Sequence, residues 1–353
     1  MNKNEEFGLL PRWKRLFEEY LKYYETVEIY TCDKENYTKK LGIKHHPCKI
    51  LIDVKYLKAI SYNIWLLLSI RIMTANVLRF FGSVYPLMFF FNLLNKTPKI
   101  LSYQYDFYMK TYLDFGKFRG KIGYWAEKYS VKNVGNILTT TYELQAILKE
   151  RYNLKSTVNP NFVNLEMFYP SDEEKNYIFF AGRIFHTKGI DLMIEVIQRL
   201  KHDGIYMDLL LAGDGNLDEY KEKVNKLEIE SQITFLGPIP AEKVAEYMRH
   251  TKIFLFPTTT QEGHPKSLIE ALASGAACVV SKVLGNTEVI QDGKNGLIVE
   301  PGNSDDLYEK VKQLLSNDEL RQLIKKKAAI SAKKYDLTEV VKYEISVLNT
   351  ISA

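Results

Sequence analysis

The chain has 353 residues, enough for two domains, and its 46% hydrophobic and 26% charged content is that of a globular protein. The net charge of +5 conceals an asymmetry: residues 1–165 carry 25 Lys and Arg against 14 Asp and Glu, net +11, whereas 166–353 carry 23 against 29, net −6. A basic half suits an anionic partner such as a lipid surface or a phosphorylated acceptor, and plain lysine decoration of the surface explains it equally well.

The N-terminus, MNKNEEFG, lacks the apolar core of a secretory signal. Cys32, Cys48 and Cys278 lie far apart with no CxxC pair, which argues against zinc and a disulfide framework and fits a reducing compartment. Gly8 offers a turn and Pro11 opens a helix, but no apolar strand precedes them. Strand-like runs follow at 27–31 and 50–54. Basic residues near Arg12, Lys14, Arg15, Lys39 and Lys40 offer a peripheral docking surface. Residues 80–95 form 16 uncharged residues, short of the ~20 needed to cross a bilayer, and they include Gly82 and Pro86. Strand, glycine turn, helix and a second strand through PKILSYQYD read as a buried unit, which favours core packing over insertion; 59–70 is shorter still. Further on, GNILTTTYELQAILKERY enters a helix through a capping box of Thr140 and Glu143.

The second half alternates strands (177–181, 208–212, 233–236, 253–256, 277–281, 297–299) with amphipathic helices. In IDLMIEVIQRL, Ile190, Met193, Ile194, Ile197 and Leu200 keep helical spacing. Such alternation predicts a parallel sheet covered on both faces, with ligands beyond the carboxyl ends of its strands. Two motifs follow strands directly. In FFAGRIFHTKGID, Arg183 and Lys188 flank a glycine-bounded loop, where two cations suit a diphosphate. In FPTTTQEGHPKSLIEALASG, Pro265 suits the first helical position, so Glu262 lies in a loop and Glu270 one to two turns inside a helix. The amides of Lys266, Ser267 and Leu268 then point out of the helix start toward an anion. Carboxylates on both sides of a phosphate cradle fit a sugar nucleotide. Gly213-x-Gly215 is a weak dinucleotide echo, because Asp218 stands at the third glycine position.

The two glutamates eight residues apart, with EALASG and the strand AACVVS after them, resemble the E-x7-E element of retaining GT-B glycosyltransferases of family 4 (glycosyl transferases group 1). The resemblance covers most of the chain and is strongest from about Asn136. It implies an α/β chain of two Rossmann-like domains with parallel sheets facing a central cleft. The first strand of the N-terminal domain is then missing, which points to a late-called start, a trimmed gene or a substitute strand. The linker is VNPNFVNLEMFYP, which places an acceptor-binding domain at 1–165 and a nucleotide-sugar-binding domain at 166–335. A helix at 336–353 returns to the first domain.

By the same resemblance, Arg183 and Lys188, with Gly182 beside them, neutralise the departing nucleoside diphosphate. Glu262 faces the donor sugar and Glu270 the ribose, while Gly263, Lys266, Ser267 and Leu268 meet the phosphates. The LGPIP loop at Gly237 contacts the base through its backbone. Gln104 stands where many relatives carry a histidine. Asp106 is open between acceptor base and turn or capping aspartate, and His264, usually apolar in the family, carries no chemistry. The implied activity is transfer of a sugar, with retention, from a nucleoside diphosphate donor to a hydroxyl of a glycan or lipid-linked acceptor. The sequence has no Asp-x-Asp, so a metal-free and cofactor-free site is the expectation. Peripheral contact with an anionic membrane, a cytoplasmic or inner-face location and no nucleic-acid partner go with it. A nucleotide-sugar epimerase and a catalytically idle binding subunit of the same fold are the alternatives.

Overall fold

A computed structural model of the chain describes residues 10–31, 42–48 and 57–352. The strand expected at 50–54, any strand ahead of Gly8, and Cys32, Lys39 and Lys40 lie outside these residues. The chain divides into two compact units: Asn161–Val340 in one, and Arg12–Pro160 with the chain from Val341 onward in the other.

In the N-terminal unit, helix α1 (Leu10–Tyr20) precedes a parallel strand pair, β1 (Glu28–Thr31) and β2 (Lys44–Pro47), and helix α2 (Leu57–Ser69) follows. Then come β3 (Leu78–Phe81), α3 (Met88–Leu94), β4 (Lys99–Tyr103), α4 (Phe107–Asn133), β5 (Asn136–Thr139), α5 (Tyr142–Tyr152) and β6 (Thr157–Val158). Strands β3 to β6 form a parallel sheet in chain order. Met88, Phe91, Leu101, Tyr103 and Leu148 are fully buried against it. The cap of α5 is Thr141, one residue beyond the expected Thr140: its hydroxyl accepts from the Leu144 amide at 3.1 Å. A capping box from Thr141 would need an acid or amide at 144, where leucine stands, so the reciprocal half is missing.

Helix α4 is two helices joined at Gly116, whose φ of 81° and ψ of −179° are not helical. In one straight helix Tyr108 and Glu127 would lie about 28 Å apart, yet the Glu127 carboxylate accepts from the Tyr108 amide at 2.9 Å. The pieces therefore fold back as a helical hairpin. A Cβ on Gly120 would sit 3.0 Å from the Tyr112 Cβ, and one on Gly123 3.1 Å from the Thr111 Cβ. The glycines thus set the close approach of the two arms.

Buried charge also organises this unit. Glu344 accepts from the Tyr20 hydroxyl at 2.7 Å and the Asn159 amide at 2.8 Å, and it pairs with Arg79. Burial pushes the Glu344 carboxyl up and the Arg79 guanidinium down, and the pairing opposes both shifts. Taking away either partner would leave an uncompensated buried charge, at a cost of about 3–5 kcal/mol.

The C-terminal unit alternates β7 (Lys175–Ala181), α6 (Ile190–His202), β8 (Asp208–Ala212), α7 (Leu217–Lys226), β9 (Ile233–Gly237), α8 (Ala241–His250), β10 (Thr251–Phe256), α9 (Lys266–Ala273), β11 (Ala277–Ser281), α10 (Asn286–Val289) and β12 (Leu297–Val299). Helices α11 (Ser304–Ser316) and α12 (Asp318–Ala332) follow, and α13 (Leu337–Ser352) belongs from Val341 onward to the N-terminal unit. All six strands are parallel, in the order β12-β11-β10-β7-β8-β9. Ile178, Phe179, Phe180, Phe254 and Val279 are fully buried, as a sheet covered on both faces requires. The chain lays down β7 to β9 on one side and then returns to the other side of β7 with β10. The crevice between β7 and β10 is therefore the topological switch point, where ligands of open α/β sheets bind.

Glu174, next to β7, fastens α12 by accepting from Arg321 at 2.8 Å and Lys325 at 2.9 Å. Burial alone would raise this carboxyl, but the hydrogen bonds from Arg321 and Lys325 outweigh it and hold it below the usual range. A depressed folded pKa gives stability that is present above the unfolded value, about 4.3, and is lost as pH falls through the folded value. Melting curves from pH 7 to 3 should show Glu174→Gln less stable than wild type at neutrality, with the gap closing in acid. A gap independent of pH would refute this.

Candidate functional site

Three loops meet at the carboxyl ends of β7, β8 and β10, and glycines let them do so. A Cβ on Gly213 (φ +144°) would lie 1.8 Å from the Gly182 carbonyl oxygen, and one on Gly215 2.2 Å from that of Ile184. In place of side chains, the Gly182 amide donates to Ala212 at 2.9 Å and the Ile184 amide to Asp214 at 2.8 Å. Gly213 in turn donates to the Gly237 carbonyl at 2.8 Å, which joins the end of β9 to the same layer. The G-x-G pair thus serves backbone approach. Gly189 (φ +73°) brings the first loop onto the third, with its Cβ position 2.2 Å from the Pro257 carbonyl oxygen. Gly285 (φ +84°) comes as close to the Gly263 carbonyl, 2.3 Å from a Cβ, and the Glu262 amide donates to Leu284 at 3.1 Å.

This packing presents Lys188 and Glu262 to each other across the switch point, where they form an ion pair. Each side chain is about one-sixth exposed, at 16%, so the pair is open to a ligand yet partly shielded from water. The Lys188 ammonium also lies 5.3 Å from the centroid of the Phe256 ring. Thr258 fixes the carboxylate: its hydroxyl is 3.1 Å from Glu262 Oε1 and 2.9 Å from the Thr187 carbonyl, and its single proton serves one of them at a time. The Thr259 amide donates to the same carbonyl at 2.9 Å. Sequence reasoning passed over Thr258, because three consecutive threonines give no sign of which one turns inward.

Arg183 is exposed on the first loop and lies 5.6 Å from the Phe185 ring centroid; among the described residues it makes no ion pair. The helix after the third loop starts at Lys266, with Pro265 as its N-cap rather than its first residue. The one-residue shift leaves the expected order intact: Glu262 and Gly263 in the loop, Ser267 and Leu268 in the first turn, and Glu270 half-buried in the second. First-turn amides have no acceptor within their helix, so they suit an anion.

His264 is 5% exposed and holds the chain at the start of this unit. Its Nδ1 accepts from the Asn161 amide at 3.1 Å, its carbonyl accepts from the Asn161 side chain at 2.6 Å, and its ring meets Tyr335 edge-on. This is a structural role. Gln104 belongs to the N-terminal unit, at the end of β4, where its carbonyl takes a long hydrogen bond of 3.4 Å from the Thr140 hydroxyl. Asp106 caps α4 by accepting from the Met109 amide at 3.0 Å, and Arg151 grips both its oxygens at 2.7 and 2.6 Å. The capping alternative therefore describes Asp106, whose two oxygens are taken up by the Met109 amide and the Arg151 guanidinium. Among the described residues no three His, Cys, Asp or Glu side chains gather as a metal site.

Residues 165–330 match the sequence model of the family described as Glycosyl transferases group 1. An uncharacterized glycosyltransferase of Methanocaldococcus jannaschii is 29% identical over 214 residues, 61% of this chain and 59% of that protein. The chain spans from about a third to three-fifths of the relatives it matches, 34% to 59% for three of them. Among solved structures, sucrose-phosphate synthase from Thermosynechococcus elongatus superimposes with a TM-score of 0.81 at 15% identity, over 98% of this chain and 93% of that one. Anabaena HepE, crystallised with UDP and glucose, gives 0.78 at 13% identity over 96% and 95%. With two α/β units on parallel sheets, these likenesses establish a GT-B fold.

The glycine contacts can be tested by stability. Gly189→Ala combines a positive φ with a collision against backbone and should cost more than about 3 kcal/mol. Gly204→Ala has a similar φ of +75° but open space, and should cost about 1 kcal/mol. Equal losses in thermal melts would show that the Pro257 approach is not what requires glycine.

Proposed function

We propose that this chain, with its glycosyl transferases group 1 domain on a GT-B fold, transfers a sugar from a nucleoside diphosphate donor to a hydroxyl of a glycan or lipid-linked acceptor, with retention of anomeric configuration as in family 4. The observation that carries the reading is the Lys188–Glu262 pair at the β7–β10 switch point, beside the first-turn amides of α9. A cation, a carboxylate and helix-start amides together suit a ligand with phosphates flanked by sugar hydroxyls. HepE, of like fold, carries UDP and glucose.

In this reading Lys188 exchanges Glu262 for the diphosphate when donor binds, and Arg183 adds the second positive charge. Gly182, Gly263, Lys266, Ser267 and Leu268 hold the phosphates, Glu270 the ribose and Gly237 the base. Glu262, released from Lys188 and steadied by Thr258, takes the sugar hydroxyls. The acceptor hydroxyl approaches on the face that the diphosphate leaves. As the sugar–phosphate C–O bond breaks and the new C–O bond forms, the hydroxyl proton passes to the leaving phosphate oxygen. Charge growing on that phosphate is what Lys188 and Arg183 stabilise, and in most enzymes electrostatic stabilisation of this kind lowers the barrier more than any other effect. No metal or cofactor enters the scheme. The basic N-terminal unit contacts an anionic membrane from the cytoplasmic side, where lipid-linked acceptors lie.

A panel of nucleoside diphosphates should raise the melting temperature, since a ligand at 100 times its Kd adds about 2.7 kcal/mol. Lys188→Ala should lower turnover by about 100-fold or more. Unchanged turnover in that variant, or a panel with no stabilising nucleotide, would overturn the reading. So would an epimer formed from donor without acceptor.

A further inference from the structure

The α4 hairpin holds an unusual surface. Residues 112–119, eight in succession around the Gly116 turn, are all exposed. Phe118, Ile122, Trp125 and Tyr129 follow at spacings of four, three and four, which places them along one face of the second arm. Phe118 is 77% exposed, Trp125 63% and Ile122 57%, against the burial that an apolar helix face normally finds. The face continues onto α3, where Phe89 meets the Tyr129 ring at 6.5 Å and Phe90 and Leu93 are also exposed. Scattered exposed apolar residues need no explanation; a contiguous aromatic patch does.

The charges around this face are nearly all of one sign. Lys110, Lys117, Arg119, Lys121, Lys128 and Lys132 stand along the hairpin against one exposed acid, Asp114, because Glu127 is fully buried among Tyr108, Arg151 and Tyr152. The cations lie against the aromatic rings: Arg119 is 5.4 Å from the Phe115 centroid and Lys128 4.7 Å from that of Trp125. Aromatic rings with lysine and arginine beside them favour the boundary between headgroups and acyl chains. No helix among the described residues is long and apolar enough to cross a membrane, so such a surface lies on a bilayer rather than in it.

We propose that the α4 hairpin is a membrane-docking element: Leu113, Phe115, Phe118 and Trp125 enter the interface of an anionic bilayer while the flanking lysines and Arg119 bind its headgroups. Charge complementarity selects this occupant. A second copy of the chain would set a net five like charges against five, since only Lys110 is paired among the described residues, with Asp114 at 3.1 Å, whereas an anionic lipid surface attracts the unpaired cations. The proposal rests on the membrane contact in the reading above, but not on sugar transfer. It assigns that contact to the hairpin rather than to the basic residues near Arg12.

The test is sedimentation of the full chain with phosphatidylcholine vesicles, with and without 30 mol% (about one lipid in three) phosphatidylglycerol. Wild type should bind the anionic vesicles and leave the neutral ones, with binding reduced at high salt. The triple variant Leu113→Ser/Phe115→Ser/Phe118→Ser and the variant Lys117→Glu/Arg119→Glu/Lys121→Glu should each lose at least about tenfold in affinity. Both should keep the wild-type melting temperature, since all six side chains are exposed. Trp125 emission should shift to the blue on anionic vesicles, and Trp125→Phe should abolish that shift. If both variants bind like wild type, the hairpin assignment fails and membrane contact through another surface survives. Absence of wild-type binding overturns both. A wild-type dimer that the serine variant abolishes would make the face a protein interface and overturn the proposal.

Discussion

The parallel pairing of β7 with β10 is the constraint on which the site depends. Parallel strands send every following loop to the same end of the sheet, so the loops after β7, β8 and β10 must emerge together. Because β8 and β10 lie on opposite sides of β7, the loops after β7 and β10 diverge into separate connections and leave a crevice at their root. Lys188 comes from one of these loops and Glu262 from the other, 74 residues apart in the chain. Their pairing is a product of topology before it is one of chemistry.

Glycine is what allows the loops to stack at that end. Backbone carbonyls of Gly182, Ile184, Pro257 and Gly263 occupy the places where side chains at 213, 215, 189 and 285 would begin. The layer so built is held by backbone hydrogen bonds, and it carries the loops of Lys188, Thr258 and Glu262.

The N-terminal unit is organised by different means. Its sheet is smaller, and buried ionic groups lie around it: Glu344 with Arg79, and Asp106 and Glu127 with Arg151. Burial alone would raise the Glu127 carboxyl, and hydrogen bonds from Tyr152 and the Tyr108 amide work against that shift. Such groups are satisfied only in one arrangement of helices. Asp106 therefore serves the unit as cap and ion partner, although its place two residues after Gln104 suggested chemistry. Nothing in a single sequence distinguishes an aspartate that will meet Arg151, 45 residues on, from one that will meet a substrate.

What the sequence by itself determined was the six strands of the second half, their parallel arrangement, and the motifs that close them. Apolar runs of five or six residues, helices with a 3.6-residue period and glycines at strand ends are local signals, and local physics reads them. It also placed Glu262 in a loop and Glu270 in a helix, erring by one residue at Pro265 and at Thr140, where neighbouring residues offer equivalent caps. What only the tertiary structure decided was which side chains meet. Thr258 rather than its neighbours supports Glu262, Lys188 answers that carboxylate, and Arg151 claims Asp106. The hairpin at Gly116 belongs here too, since its arms meet where Gly120 and Gly123 approach Tyr112 and Thr111. Each of these depends on contacts between residues far apart in the chain, and their energies exist only once the fold has brought the partners together.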